Sequence, residues 1–109
     1  MRAEIAVAPA SGQQARLDDW LARHGSGCRA VVAENALAPL QVPDDVALAR
    51  LAPGCVCCVG QVPLRVTLGR TVRAHRPDDI LLLLASDGHL PRVRALLADG
   101  SLGVSFTLE

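Results

Sequence analysis

The sequence contains no lysine and no tyrosine, and its aromatic side chains are one tryptophan and one phenylalanine. All eleven basic residues are arginines, and they balance eleven acidic residues. Without lysine the chain has no side-chain amine to form a Schiff base or to supply the ammonium group of a phosphate loop. Without a basic excess or a set of aromatic side chains it lacks the usual signature of nucleic-acid binding. We therefore expect no nucleic-acid partner.

Long apolar runs are also absent. The runs AEIAVA at 3–8 and DILLLLA at 79–85 are far shorter than the roughly 18–20 residues of a membrane span. The first residues place Glu4 inside their one apolar run and lack the apolar centre of a signal peptide. We therefore expect a cytoplasmic protein without a membrane partner. Without a repeat or a linker, residues 1–109 are predicted to form a single domain.

Short apolar runs alternate with helix-length amphipathic segments, which predicts an α/β fold. The runs at 29–33 and 79–85 are apolar at consecutive positions, as in parallel strands that helices cover on both faces. We therefore predict a three-layer αβα sandwich with a mostly parallel sheet. Ser11 is the expected cap of the first helix. The predicted strands are 4–8, 29–33, 79–85 and 102–108, the predicted helices are 12–24, 62–75 and 90–98, and 45–51 fits a strand or a helical turn.

Three of the four cysteines, Cys55, Cys57 and Cys58, lie within four residues. In a reducing compartment such spacing is more often metal-binding or redox-active than a structural bridge. Three thiolates can coordinate one thiophilic metal such as Zn²⁺. Cys55 and Cys58 also have the spacing of a redox pair, and all three thiols are compatible with buried core positions. The spacing therefore leaves three interpretations, of which metal binding leads.

The remaining ligand of such a metal site is left open by the sequence. Cys28 precedes a predicted strand, so we expect it at the opposite, amino edge of the sheet. Asp87 and His89, a water molecule or a second protein molecule are the other candidates for the fourth ligand.

The loop after the first predicted strand, at 8–16, has the position of a phosphate loop in nucleotide-binding proteins of this fold. Gly12 is its only glycine, and Gln13 and Gln14 stand where lysine and serine or threonine are needed. An ordinary helix start is the simpler interpretation. These three residues therefore form at most a weak, degenerate nucleotide site, and we expect GTP to bind weakly or not at all.

Residues 51–83 resemble the central segment of the CobW-like metallochaperone GTPases. The hallmark of that family is a GCxCC motif, here at 54–58, followed by a helix and by RPDxIL, here at 76–81. A weaker similarity extends over 12–24 and 29–35. The resemblance implies a topology like that of the P-loop NTPases, and metal handling by Cys55, Cys57 and Cys58 with zinc or another thiophilic divalent metal.

Several features of the family are replaced. Its Gly-Lys-Thr is Gly12, Gln13 and Gln14, its Glu-Thr motif after the third strand is LLASDG at 83–88, and its guanine-reading Asn-Lys-x-Asp requires a lysine. Its C-terminal domain is expected to be missing. The resemblance therefore implies a truncated relative that binds metal and has lost nucleotide hydrolysis, so that enzymatic activity is left open. The alternatives are an interaction module and, third, a residual GTP-binding protein.

The last predicted strand, at 102–108, alternates apolar and polar residues, unlike the central strands. That alternation suits a sheet edge, and an exposed edge is a template for pairing with another chain. We therefore predict a homodimer, or a heterodimer with a full-length CobW-like GTPase, formed through this strand or the helix beside it.

Overall fold

The computed structural model describes residues 2–34, 40–51, 62–84, 90–98, 100 and 106–108. A 3₁₀ turn, Ala10–Gly12, precedes the first helix. The predicted α/β class is confirmed, and the ambiguous segment at 45–51 is a strand. In chain order the described elements are β1 (Arg2–Val7), α1 (Gln13–Arg23), β2 (Arg29–Glu34), β3 (Val46–Leu51), α2 (Val62–His75), β4 (Asp79–Leu84), α3 (Leu90–Ala98) and β5 (Thr107–Leu108).

The strands form one sheet in the order β3-β2-β4-β1-β5, and every described pair is parallel. β1 and β4 are neighbours, in register from Arg2↔Asp79 to Val7↔Leu84. The chain leaves β1 toward β2 on one side and leaves β4 toward β5 on the other. Each connection passes over the other strand, and the two run in opposite directions. Neighbouring strands with oppositely directed connections mark a topological switch point, and ligands usually bind beyond the carboxyl ends of such strands.

The two central strands, β2 and β4, are buried along their full length, as their consecutive apolar residues predict. Their alternate residues enter two different hydrophobic clusters. One cluster joins Ile80, Leu82 and Leu84 to Leu68 and Val72 of α2 and to Val93, Leu96 and Leu97 of α3. The other joins Leu81 and Leu83 to Leu17 and Trp20 of α1. Each buried leucine or isoleucine contributes about 1.5–3 kcal/mol, so β4 is a main source of stability.

The start of α1 differs from the prediction. Ser11 does not cap the helix, because residues 10–12 form a 3₁₀ turn in which the N–H of Gly12 donates to the carbonyl of Pro9 at 2.8 Å. Ser11 therefore lies inside a turn rather than in the extended conformation that an N-cap residue adopts. The N-cap is Gly12, without a side-chain hydrogen bond.

Helix α2 ends at His75 and is followed by a residue with an unusual backbone conformation. Arg76 has a φ of 44°, in the left-handed region that glycine normally occupies. Its N–H donates to the carbonyl of Val72 at 2.9 Å, and Pro77 follows. This geometry terminates the helix and directs the chain into β4.

Strand β5 supports the prediction that the last strand lies at an edge of the sheet. Thr107–Leu108 pairs in parallel with β1 and lies at one end of the strand order. Residues 102–105 of the predicted strand lie outside the described residues. Phe106 is half-buried and packs against the cluster that contains α2 and α3.

Candidate functional site

The switch point lies at the carboxyl ends of β1 and β4. The N–H of Ala8 donates to the carbonyl of Leu84 at 2.8 Å, which extends the contact between β1 and β4 by one residue. Pro9 and the 3₁₀ turn then lead directly into α1. The connection is therefore short, and two of its backbone N–H groups, those of Ala8 and Gly12, are already bonded within the protein.

Gln13, the first residue of α1, is the predicted counterpart of the lysine of a phosphate loop. Its side chain is fully buried, and its Nε2 donates to the backbone carbonyl of Glu34, at the end of β2, at 2.8 Å. Its Oε1 has no hydrogen-bond partner among the described residues. The side chain therefore ties the first residue of α1 to the carboxyl end of β2.

Gln14 forms a second tether at the same helix start. Its Oε1 accepts a hydrogen bond from the N–H of Gln41 at 2.7 Å, and its Nε2 donates to the carbonyl of Gln41 at 3.1 Å. The same Nε2 lies 2.8 Å from Oδ1 of Asp18. One carboxamide thus satisfies both backbone groups of Gln41 and holds the segment before β3 against α1.

Gly12 is not required by the local geometry. Its φ is −106°, and an added Cβ would lie 3.7 Å from the Cβ of Ala8, an ordinary van der Waals distance. A phosphate loop needs glycine where its backbone adopts a positive φ or approaches the ligand closely. The structure thus brings Gly12, Gln13 and Gln14 together at one helix start, where protein groups engage both glutamine side chains.

The thiols predicted as metal ligands, Cys55, Cys57 and Cys58, lie outside the described residues, as do Asp87 and His89. In the sequence the cysteine segment follows Leu51, the last residue of β3, whose partner in the parallel register is Glu34. The chain therefore leaves the sheet toward the cysteines at the carboxyl ends of the strands. Within the described ranges, no group of three or more His, Cys, Asp or Glu side chains is placed to hold a metal ion.

The amino edge of the sheet contains an ionic cluster around the buried Asp79, which the sequence analysis missed. Nε of Arg2 lies 2.7 Å from Oδ1 of Asp79, and Nη2 of Arg2 donates to Oδ2 at 3.0 Å. Nδ1 of His24 is 3.5 Å from the same Oδ1. The carboxylate of Asp79 is buried although it begins an otherwise apolar strand, and a charged first residue of such a strand was the available signal.

Two further ion pairs reinforce this edge. The buried Arg29 donates from Nη1 to the carbonyl of His24 at 2.8 Å and from Nη2 to Oδ2 of Asp45 at 2.7 Å. Arg23 donates to both carboxylate oxygens of Glu4, at 2.6 and 2.7 Å. These hydrogen bonds from Arg23 lower the pKa of Glu4.

Cys28 lies at this amino edge, as predicted, and away from the carboxyl ends of the strands. It is exposed, its Sγ donates to the carbonyl of His75 at 3.0 Å, and its N–H donates to Oδ2 of Asp78 at 3.1 Å. Gly27 beside it has a φ of 88°, and an added Cβ would lie 3.1 Å from the same Oδ2. The turn before β2 therefore requires glycine.

Comparisons of this chain with protein-family models, with curated proteins and with solved structures find no match. The resemblance to the CobW-like GTPases therefore remains a prediction carried by the motifs in residues 51–83. No helix in the described part of the chain is long and apolar enough to cross a membrane.

Proposed function

We propose that this chain is a cytoplasmic metal-binding protein related to the CobW-like metallochaperones. Its ligands are Cys55, Cys57 and Cys58, and its metal is zinc or another thiophilic divalent cation. The observation that carries the proposal is the spacing of three thiols in the sequence, the first of them four residues after Leu51, where β3 of the parallel sheet ends. Ligand sites in such sheets lie on that side, beyond the carboxyl ends of the strands.

The proposed scaffold is a three-layer αβα sandwich with a topology like that of the P-loop NTPases. Two hydrophobic clusters built on alternate strand residues, one with α1 and the other with α2 and α3, support the three layers. The neighbouring positions of β1 and β4, with a short connection from β1 into α1, support the topology.

We propose that GTP binds weakly or not at all, and that nucleotide hydrolysis is lost as a consequence. Gln13 is buried and bonded to Glu34, and Gln14 is bonded to Gln41, so neither side chain supplies the charge or the hydroxyl that a phosphate loop uses. Calorimetry with magnesium and a non-hydrolysable GTP analogue tests this. We expect no saturable heat at micromolar concentrations, and micromolar affinity would contradict the proposal.

The metal site is tested by competition with a zinc-binding chromophore. We expect one site of sub-micromolar affinity that weakens as the pH falls, because thiols must lose their protons to bind the metal. The double variant Cys55→Ser/Cys58→Ser should lose this site. Cys28→Ser is the matched control and should retain it, because Cys28 lies at the amino edge. Equal zinc affinity in the double variant and the parent would refute the proposal.

A second candidate function is an interaction module that dimerises with itself or with a full-length CobW-like GTPase. The position of β5 at one end of the described strand order favours it. Phe106 packs against the core, so its replacement would alter folding as well as association. The exposed Thr107 is a better site, because Thr107→Lys places a charge on the edge. Sedimentation should show a dimer that Thr107→Lys weakens. A monomeric parent with which no relative co-purifies from the native host would contradict this candidate.

A further inference from the structure

Helices α2 and α3 carry positive charge only. Together they contain five arginines and neither aspartate nor glutamate. Their buried residues belong to one hydrophobic cluster, so both helices pack on the same face of the sheet. Four of their arginines are described and exposed, and we refer to them as the arginine face: Arg70, Arg73, Arg92 and Arg94.

The arginine face is not neutralised within the described part of the chain. None of its four side chains forms an ion pair with a described residue, whereas Arg23 of α1 pairs with Glu4 and with Asp19. The chain as a whole has as many acidic as basic residues, so an excess of arginine in the composition does not explain why these arginines lie together. Unpaired like charges on one surface repel each other in the folded state. An acidic partner would relieve that repulsion.

Helix α2 adds an apolar contact to this charge. Val66 is the large hydrophobic side chain that is most exposed in the described residues, at 43%. It precedes Arg70 by four residues, and Arg73 follows by three, so the three side chains form one stripe along the helix. Apolar contacts flanked by arginine are a common composition at protein interfaces.

We propose that the arginine face is a docking surface for an acidic segment of a partner protein. Guanidinium groups pair with carboxylates through two parallel hydrogen bonds, which gives such a contact orientation as well as attraction. A nucleic acid fits less well, because the chain is neutral overall and offers few aromatic side chains for stacking. A membrane surface fits less well, because Val66 is the one large apolar side chain that is exposed among the described residues of the two helices.

A second copy of this chain is also a poorer occupant. The α1 side carries charges of both signs, and its Glu4, Asp19 and Arg23 already pair with one another. Its acidic groups therefore offer little net attraction to the arginine face. The arginine face includes none of the proposed thiol ligands, so separate variants test the two proposals independently.

The test is fluorescence anisotropy with a labelled oligoglutamate peptide at low salt. We expect saturable binding that weakens as salt is added. Arg70→Gln/Arg73→Gln should weaken it on the order of fivefold, since each exposed pair contributes a few tenths of a kcal/mol to 1 kcal/mol. Arg92→Gln/Arg94→Gln should have a similar effect. Arg16→Gln, an exposed arginine on α1, is the matched control and should bind like the parent.

Several outcomes would overturn the proposal. Equal affinity of the parent and both double variants would remove the arginine face from the interaction. So would an equal loss in the Arg16→Gln control. Binding of duplex DNA or phosphatidylserine vesicles in preference to the peptide would assign the surface to another class of partner. Sedimentation that shows self-association lost in both double variants would assign it to a second copy of the chain.

Discussion

The two ends of the parallel strands, which we call the amino edge and the carboxyl edge of the sheet, differ in the bonds that their polar side chains form. At the amino edge, Asp79 is buried between Arg2 and His24, and its charge is met by protein groups. At the carboxyl edge, β2 ends at the buried Glu34, and the neutral amides of Gln13 and Gln14 bond to backbone groups of the protein. The difference indicates that the amino edge contributes stability. Under the proposed function, the carboxyl edge, where β3 ends at Leu51 before the cysteine segment, is the binding side.

The largest expected effect is the loss of the buried carboxylate at the amino edge. Asp79→Ala removes the carboxylate that Arg2 and His24 share. Because the side chain of Arg2 is 57% exposed and stays hydrated, we expect a cost of about 2 kcal/mol, that of losing hydrogen bonds to a charged group. Urea unfolding at neutral pH measures the change in the free energy of unfolding. Asp44→Ala, at an exposed aspartate, is the control and should stay within about 0.5 kcal/mol of the parent. A cost below about 1 kcal/mol for Asp79→Ala would show that this edge is not a source of stability.

The turn at the amino edge provides a second test. Gly27→Ala should lower the free energy of unfolding by about 1–2 kcal/mol, because alanine disfavours a positive φ and its Cβ would press on Asp78. Gly25 lies two residues earlier, and nothing lies within 4 Å of an added Cβ there. Gly25→Ala should therefore be close to neutral. Equal effects of the two substitutions would contradict the strained geometry of this turn.

Much of this fold follows from sequence, and the contrast between the edges shows why the rest does not. The consecutive apolar residues of β2 and β4 predict burial on both faces of the sheet. This prediction is possible because the pattern lies within a few neighbouring residues of the sequence. The pairing of Arg2 with Asp79 joins residues 77 positions apart, and that of Gln13 with Glu34 joins residues 21 apart. Neither contact is encoded in a local pattern, so both emerge only when the parallel strands are assembled.

The candidate site divides in the same way. The position of the degenerate loop before α1 could be predicted, because it follows the first strand of an α/β pattern. The engagement of Gln14 with the backbone of Gln41 could not, because the segment before β3 gave no regular pattern. The thiol motif is visible only in the sequence, through the spacing of its cysteines.

A smaller effect is expected at the end of α2, where substitution should be stabilising. Arg76→Gly should raise the free energy of unfolding by about 0.5–1 kcal/mol, because the left-handed conformation of Arg76 is costly for a residue with a Cβ. Arg73→Gly makes the same change inside the helix and should cost about 1 kcal/mol. Thermal unfolding of both variants measures the difference, and a loss of stability in both would contradict the assigned C-cap.

The smallest expected effect is a change in how the stability of the fold depends on pH in the acidic range. Hydrogen bonds from Arg23 lower the pKa of Glu4, so the pair stabilises the fold above the carboxyl's ordinary pKa and loses this contribution as the pH falls through the lowered value. Between about pH 5 and pH 3 the parent should therefore lose a few tenths of a kcal/mol more than Arg23→Gln. Chemical unfolding across this range measures both slopes. A steeper loss in Arg23→Gln would reverse the sign and refute the pairing.

The most direct test of the contrast between the edges is a zinc titration of the isotopically labelled chain, followed by amide resonances in a ¹H–¹⁵N correlation spectrum. The account predicts saturable shifts at Gly12, Glu34 and Leu51, near the carboxyl ends of the strands. Gly27 and Asp79 at the amino edge should remain unchanged. Shifts centred on Gly27 and Asp79, or a spectrum that zinc leaves unaltered, would contradict the assignment of binding to the carboxyl edge.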